Sequence, residues 1–102
     1  MKIISVISEK IEEELEGACA YVDLAMKWRN DAPDTADLFY ELSVEEMGHV
    51  DKLHEEVEEL IEEHRKEHGD PPKEMMVLYD YLHNKHIAKA TQIRVKQGIY
   101  KT

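Results

Sequence analysis

The feature that most constrains this chain is a run of apolar residues at alternating steps of three and four, in a stretch without proline. Residues 3–30 contain a single glycine and follow this spacing at Ile4, Ile7, Ile11, Ala18, Tyr21, Ala25 and Trp28. Such spacing puts the apolar side chains on one face of an α-helix and leaves the other faces to polar residues. The pattern predicts a first amphipathic helix of about 3–30.

Two further segments continue the helical pattern. Asp34 follows a polar turn and is the expected N-cap of a second helix of about 35–68. Gly69 is the expected C′ residue just past the end of that helix, and Asp70, followed by two prolines, is the expected N-cap of a third helix of about 71–98. The third helix is less regular, and two stripes fit it: 79, 82, 86, 90, 93 and 76, 80, 83, 87, 90.

Length and composition limit the classes of protein to consider. A chain of 102 residues predicts one all-α domain, 1–102, in which short turns make neighbouring helices antiparallel. The formal net charge of −10 argues against a nucleic-acid partner. No apolar run approaches the ~20 residues that cross a membrane. One cysteine and an N-terminus that becomes acidic too early for a secretory signal predict a cytoplasmic protein.

Charged residues interrupt the apolar stripes of the first two helices. Position 14 continues the first stripe, and positions 46 and 49 belong to the second, but these residues are Glu14, Glu46 and His49. A buried carboxylate is costly unless it is paired or binds a metal ion. The three residues are therefore the candidate functional group of the chain.

The three residues are also expected at one level of an antiparallel hairpin. Counted from Ala32 in the turn, Glu14 lies almost as far back along the chain as His49 lies forward, and Glu46 is one helical turn nearer. These offsets differ by one to four residues, which correspond to about 1.5 to 6 Å along the helix axis. The spacing of three between Glu46 and His49 puts both on one side of a helix, where they can bind the same ion.

The segment from Glu14 to Tyr21, followed by Glu46-Met47-Gly48-His49, resembles the first half of a ferritin-like di-iron carboxylate protein of the rubrerythrin and bacterioferritin type. In that family the first helix carries a Glu with a Tyr seven residues later, and the second carries Glu-x-x-His. The resemblance covers residues 4–64 and implies metal binding by Glu14, Glu46 and His49, with Tyr21 beside the site. A complete member has four helices and a second Glu-x-x-His, whereas this sequence predicts three helices.

A homodimer, or a higher even oligomer, would complete such a site. Two Glu and one His are too few ligands for two ions, but a two-fold dimer supplies four Glu and two His inside a four-helix-type bundle. This arrangement is similar to the encapsulated ferritins, which build their site between subunits, although no encapsulin-targeting tail follows Gln97. The resemblance implies two iron ions per dimer, with Mn or Zn possible, and oxidation of Fe(II) by oxygen or peroxide.

Alternative interpretations remain open at this point. The three residues could form a buried Glu–His network that fixes dimer register in a non-catalytic acidic assembly module, or a redox-silent metal store. His83 and His86 could add ligands from the third helix, as could Asp80, which precedes His83 by three residues. The pair Asp51 and His54 has the same spacing but falls beside the stripe, which predicts a solvated pair.

Overall fold

The computed structural model describes residues 2–102, and these form three α-helices with no β-strand among them. Helix α1 runs over Lys2–Trp28, α2 over Pro33–His68 and α3 over Lys73–Lys101. Two short turns, 29–32 and 69–72, join them into a rod of 56 × 19 × 18 Å. The prediction of an all-α chain with three helices is confirmed. No helix among the described residues has the length and apolar character needed to cross a membrane.

The helix N-termini differ from the sequence predictions. Helix α2 begins at Pro33, Ala32 occupies the N-cap position and no side chain caps the helix, so the prediction of Asp34 as N-cap is wrong. Proline is well suited to the first position of a helix because it has no N–H that would need a partner there. Asp34 lies instead in the first turn, where its negative charge interacts favourably with the helix dipole. The prediction of Asp70 as the next N-cap is also wrong, because Pro72 holds that position.

The helix C-termini follow from the residues that end them. Gly69 ends α2 as predicted: its φ is +79°, a conformation that favours glycine, and its N–H donates to the Arg65 carbonyl at 3.0 Å. Helix α3 continues past residue 98 to Lys101. Tyr100 explains the extension, because its ring packs with Ala25 and Ala36 and its hydroxyl donates to Asp37 at 2.5 Å.

The core lies between α1 and α2, which pair along most of their length. The predicted stripe residues Ile4, Ile7, Ile11, Ala18 and Ala25 are buried in α1. Trp28, which the stripe predicts to pack at the end of the hairpin, is instead 40% exposed. Further residues face the core although the predicted stripes omit them, among them Leu15, Val22, Ser43 and Met47. Leu15, Val22 and Ser43 are fully buried because α3 covers a second stripe of the hairpin.

Helix α3 lies on one side of the α1–α2 hairpin and is tied to it by polar contacts. Lys89 and Lys96 bond to Glu12 and Asp23 on α1 at 3.4 and 2.9 Å. The buried Ser43 hydroxyl donates to the Ala18 carbonyl at 2.7 Å and accepts from Gln97 Nε2 at 3.0 Å, so that it links all three helices.

The sequence leaves open which face of α3 packs on the hairpin. In the structure it is the first of the two predicted stripes, 79, 82, 86, 90 and 93. Ala90 and Ile93 are buried, whereas Asp80 and Ile87, which belong to the other stripe, are exposed. His86 accordingly points inward, with a side chain only 11% exposed.

Candidate metal site

Glu14, Glu46 and His49 come together between α1 and α2. His49 Nδ1 lies 3.3 Å from Glu14 Oε2 and 3.9 Å from Glu46 Oε2. One ligand atom from each residue lies within 4.8 Å of the other two, a separation small enough for a single ion to contact all three. Among the described residues this is the one group of three or more His, Cys, Asp or Glu with that property.

The regular rise of two antiparallel helices explains this convergence. Glu14 lies nearly as far from the C-terminal end of α1, at Trp28, as Glu46 and His49 lie from the N-terminal end of α2, at Pro33. Since each residue advances about 1.5 Å along the axis, the three side chains reach the same level. Glu46 and His49 are one helical turn apart and share a face. The prediction that these residues meet is therefore confirmed.

The site lies on the opposite side of the hairpin from α3. Glu12 bonds to His86 and Lys89 of α3, and Glu14, two residues further, is turned by about 200° around α1. Asp51 bonds to Arg94 of α3, and His49 is turned by the same angle around α2. We call this uncovered side, with Glu14, Glu46 and His49 at its centre, the open face.

The burial of the group differs from the sequence prediction. The side chains of Glu14 and Glu46 are 29% and 26% exposed and that of His49 is 54% exposed, so the group borders the core and is not enclosed by one chain. The reason is geometric. Steps of three and four average 3.5 residues, whereas an α-helix has about 3.6 per turn, so an idealised stripe drifts around a long helix. The buried face of α1 centres on Leu15, Ala18 and Val22, and Glu14 lies at its edge.

Gly17 leaves space beside the site, although the apolar pattern of α1 does not single it out. A Cβ at this position would lie 3.6 Å from Glu46 Oε2 and 3.7 Å from its Cδ, which is ordinary contact. Glycine inside a helix costs about 1 kcal/mol relative to alanine. The chain thus has a residue unfavourable to the helix at the point where α1 passes the Glu46 carboxylate. Any larger side chain there would narrow access to that carboxylate.

Tyr21 does not belong to the ligand group. Its ring stacks on Phe39 of α2, with centroids 6.3 Å apart and planes inclined by 23°. It lies two helical turns from Glu14, or about 10 Å along the axis. The Tyr21–Phe39 pair therefore packs at the turn end of the open face and borders the site.

Two carboxylates at this separation repel each other. Neither oxygen is neutralised by Lys or Arg, since the charged contacts of this group in the described residues are those with the His49 ring. A bound cation would relieve the repulsion. The arrangement is suited chemically to a divalent ion, because carboxylate and imidazole donors bind Fe, Mn and Zn.

The histidines of α3 lie on the other side of the hairpin and do not reach this group. His86 Nε2 pairs with Glu12 Oε2 at 3.0 Å, and burial lowers the pKa of His86. The His83 ring stacks on His54 at 4.5 Å, and burial, followed by the proximity of His54, lowers the pKa of His83. Asp80 is exposed.

The expectation of a solvated Asp51 and His54 pair is only half right. Asp51 is exposed and pairs with Arg94. His54 is half-buried between α2 and α3, and its Nε2 lies 2.9 Å from Glu58 Oε1. The contact with α3 that covers His54 is not visible in the pattern of α2 alone.

Comparison of the chain with protein-family models, with curated proteins and with solved structures gives no match. The resemblance to ferritin-like proteins consequently rests on Glu14, Tyr21, Glu46 and His49 and on the helical pattern around them.

Proposed function

We propose that the chain binds metal ions with Glu14, Glu46 and His49, that two copies complete the site, and that the loaded protein oxidises Fe(II). The observation that supports this proposal is the convergence, within 4.8 Å, of three ligand atoms from two helices. All three belong to the residue types that hold iron in helical bundles.

The number of ligands favours a shared site. One chain offers two carboxylates and one imidazole at the open face, which leaves a single ion with vacant positions and cannot hold two ions. A second copy related by a two-fold axis doubles the set to four Glu and two His, the composition of di-iron bundle cores. In such a site Glu14 from α1, with Glu46 and His49 from α2, would hold the ions in each copy.

The surroundings of the site also favour a second copy. Leu42, Leu53 and Leu60 share the face of α2 that carries Glu46 and His49, and all three are only half-buried. Apolar surface bordering a polar centre is typical of a surface that is covered in the assembly. Covering it would also remove water from around the carboxylates, which strengthens their attraction for a cation.

The chain's own contribution is to hold the ligands and to leave room for an ion. Iron bound there would supply the redox step, passing one electron per Fe(II) to oxygen or peroxide. His49 Nδ1 lies within hydrogen-bond distance of Glu14 Oε2, at 3.3 Å, a contact that favours one direction of its ring. Gly17 keeps one side of Glu46 uncovered.

One contact favours a second candidate function. The His49 Nδ1 to Glu14 Oε2 distance of 3.3 Å is also what a metal-free Glu–His hydrogen bond would give. In that case the group fixes the register of two copies, and the protein is a non-catalytic assembly module.

The experiment is addition of Fe(II) in air, with the ferric absorbance recorded for wild type, His49→Ala and His68→Ala. His68 is a matched control, since it is an exposed histidine on the same helix, about 28 Å along the axis from His49. Helicity is checked for each variant by circular dichroism, and bound metal by elemental analysis.

The proposal predicts faster oxidation than in buffer for wild type and His68→Ala, and loss of both metal and rate in His49→Ala. Bound metal without faster oxidation would indicate a redox-silent store. A rate equal to that of buffer in all three proteins, with no bound metal, would favour the assembly module and refute the metal proposal.

A further inference from the structure

We propose that the outward side of α3 is a second self-association surface, through which two copies pack antiparallel with their Ala88 residues at the two-fold axis. This surface is independent of the metal proposal, because it lies on the other side of the molecule from the open face. Its central line, which we call the outer seam, consists of Val77, Tyr81, Ala88, Val95 and Ile99.

The outer seam is apolar although it faces away from the chain's own core. Val77, Tyr81, Val95 and Ile99 are 63%, 60%, 57% and 48% exposed. The inward side of α3 is apolar as well, with Ala90, Ile93 and Tyr100 buried. A helix with apolar residues on two opposite sides is typical of one that is covered on both.

The spacing along the outer seam is that of a helix–helix contact. With Asn84 and Thr91 included, the positions follow steps of 4, 3, 4, 3, 4 and 4, and none of them is charged. Seven consecutive uncharged positions stand out in a chain that is 35% charged. Alternating steps of three and four are the pattern by which two helices interlock side by side.

The order of residues in the outer seam fits a second copy in antiparallel orientation. Val77 and Ile99 are each eleven residues from Ala88, and Tyr81 and Val95 are each seven residues from it. An antiparallel copy therefore sets Val77 against Ile99 and Tyr81 against Val95, with the two small Ala88 side chains together at the centre.

Charge complementarity favours the same arrangement. Asp80 and Arg94 are two heptads apart on one flank of the outer seam, eight residues before and six after Ala88. Equivalent flanks face each other in an antiparallel pair, so Asp80 of one copy approaches Arg94 of the other, whose guanidinium is 55% exposed and also contacts Asp51 of its own chain at 3.3 Å. In a parallel pair equivalent flanks lie on opposite sides of the interface, so this attraction between Asp80 and Arg94 is lost.

An acidic partner is a poorer occupant for this surface. Helix α3 carries six basic and two acidic residues, but Lys89, Arg94 and Lys96 already pair with acidic groups of α1 and α2. Half of the basic residues of α3 are thus paired with the chain's own hairpin, and the outer seam itself is neutral.

The contact area indicates a weak contact. From Val77 to Ile99 the helix advances about 33 Å, and at about 10 Å width this is on the order of 330 Å² per chain, compared with roughly 800 Å² per partner in a standard interface. Self-association through the outer seam should therefore increase with protein concentration and reverse on dilution.

The test is sedimentation or light scattering of the full chain over a range of concentrations, with paired charge variants. Tyr81→Glu with Val95→Glu opposes two negative charges across the antiparallel pair and should weaken association by at least about tenfold. Tyr81→Glu with Val95→Lys sets opposite charges against each other and should restore association. In a parallel pair the second variant would be as disruptive as the first.

Cross-linking tests the position of the axis without reference to metal. In a Cys19→Ser background, Ala88→Cys should form a disulfide between copies, whereas Gln92→Cys, which would face Asn84 of the second copy, should not. The proposal is overturned if wild type does not self-associate, if both charge variants behave like wild type, or if Ala88→Cys cross-links no better than Gln92→Cys. Loss of metal binding in His49→Ala would leave all these results unchanged, so the two proposals fail separately.

Discussion

Glu46→Gln should stabilise the metal-free protein, although it removes a proposed metal ligand. The Glu14 and Glu46 ligand atoms lie within 4.8 Å of each other and no Lys or Arg neutralises them in the described residues. The substitution keeps the shape of the side chain and removes one of the two charges. Residues arranged to bind a cation repel one another when the cation is absent. Removing one of the charges should therefore increase the stability of the metal-free protein.

The size of the effect follows from the distance. Two unit charges at most 4.8 Å apart repel by at least about 0.9 kcal/mol in water and about 3.5 kcal/mol at an effective dielectric constant of 20. Glu14 and Glu46 are 29% and 26% exposed, so solvent and salt screen the pair. We therefore expect the free energy of unfolding to rise by an amount near the lower value, about 1 kcal/mol. This corresponds to an increase of about 4–8 °C in Tm for a chain of this length.

The assay is thermal unfolding followed by circular dichroism at one fixed protein concentration, with chelator and then with Mn(II). Mn(II) at 100 times its Kd should stabilise wild type by about 2.7 kcal/mol and Glu46→Gln far less, so the order of the two stabilities inverts.

Glu45→Gln is the matched control, an exposed acid one residue away on the same helix, and it should respond to Mn(II) as wild type does. A clear loss of stability in metal-free Glu46→Gln would refute the reasoning, since it would mean that the Glu46 charge holds the structure together through His49.

Three further predictions concern the packing of α3. Ser43→Ala should lower the free energy of unfolding by about 1–2 kcal/mol in urea titrations, because the buried hydroxyl loses its bonds to the Ala18 carbonyl and to α3; an unchanged midpoint would contradict this. The folded pKa of His83 is lowered from its ordinary 6.5, so the unfolded chain binds the proton more readily and stability should fall as the pH drops below about 6.5. His83→Gln should reduce the difference between the urea midpoints at pH 7.5 and 5.5. A difference as large as that of wild type would count against the burial of His83 as the cause of the pH dependence. Tyr100 donates to Asp37, which raises its pKa from 10.0 to about 12, so its stabilising contribution persists below pH 10 and is lost as the pH rises through 12. Tyr100→Phe should remove the phenol absorbance step near pH 12, and persistence of that step would assign it to another tyrosine.

The position of the candidate site along the helix axes is predictable from the sequence, because each residue of an α-helix advances by a constant distance. Counting residues from the turn at Ala32 is enough to bring Glu14, Glu46 and His49 together without any knowledge of side-chain contacts. The all-α class and the position of Gly69 follow equally from local chemistry. Such features depend on neighbours in the chain and on fixed geometry.

The exposure of the site is not predictable in the same way. Which residues around a helix are buried depends on every partner that packs on it, and α3 draws the buried face of α1 toward Leu15 and Val22. Placing Glu14 at the edge requires the position of α3, whose own register fits two stripes. The burial of His54, which His83 of α3 covers, escapes the sequence pattern for the same reason.

Metal content measured together with mass in solution tests the central claim most directly. Untagged protein would be passed at low concentration through size exclusion with light scattering, and the eluted peak analysed for Fe, Mn and Zn. Our account predicts a peak at twice 11.9 kDa that carries two ions, and no metal in the corresponding peak of Glu46→Ala. A metal-free monomer, or full metal content retained by Glu46→Ala, would contradict the account.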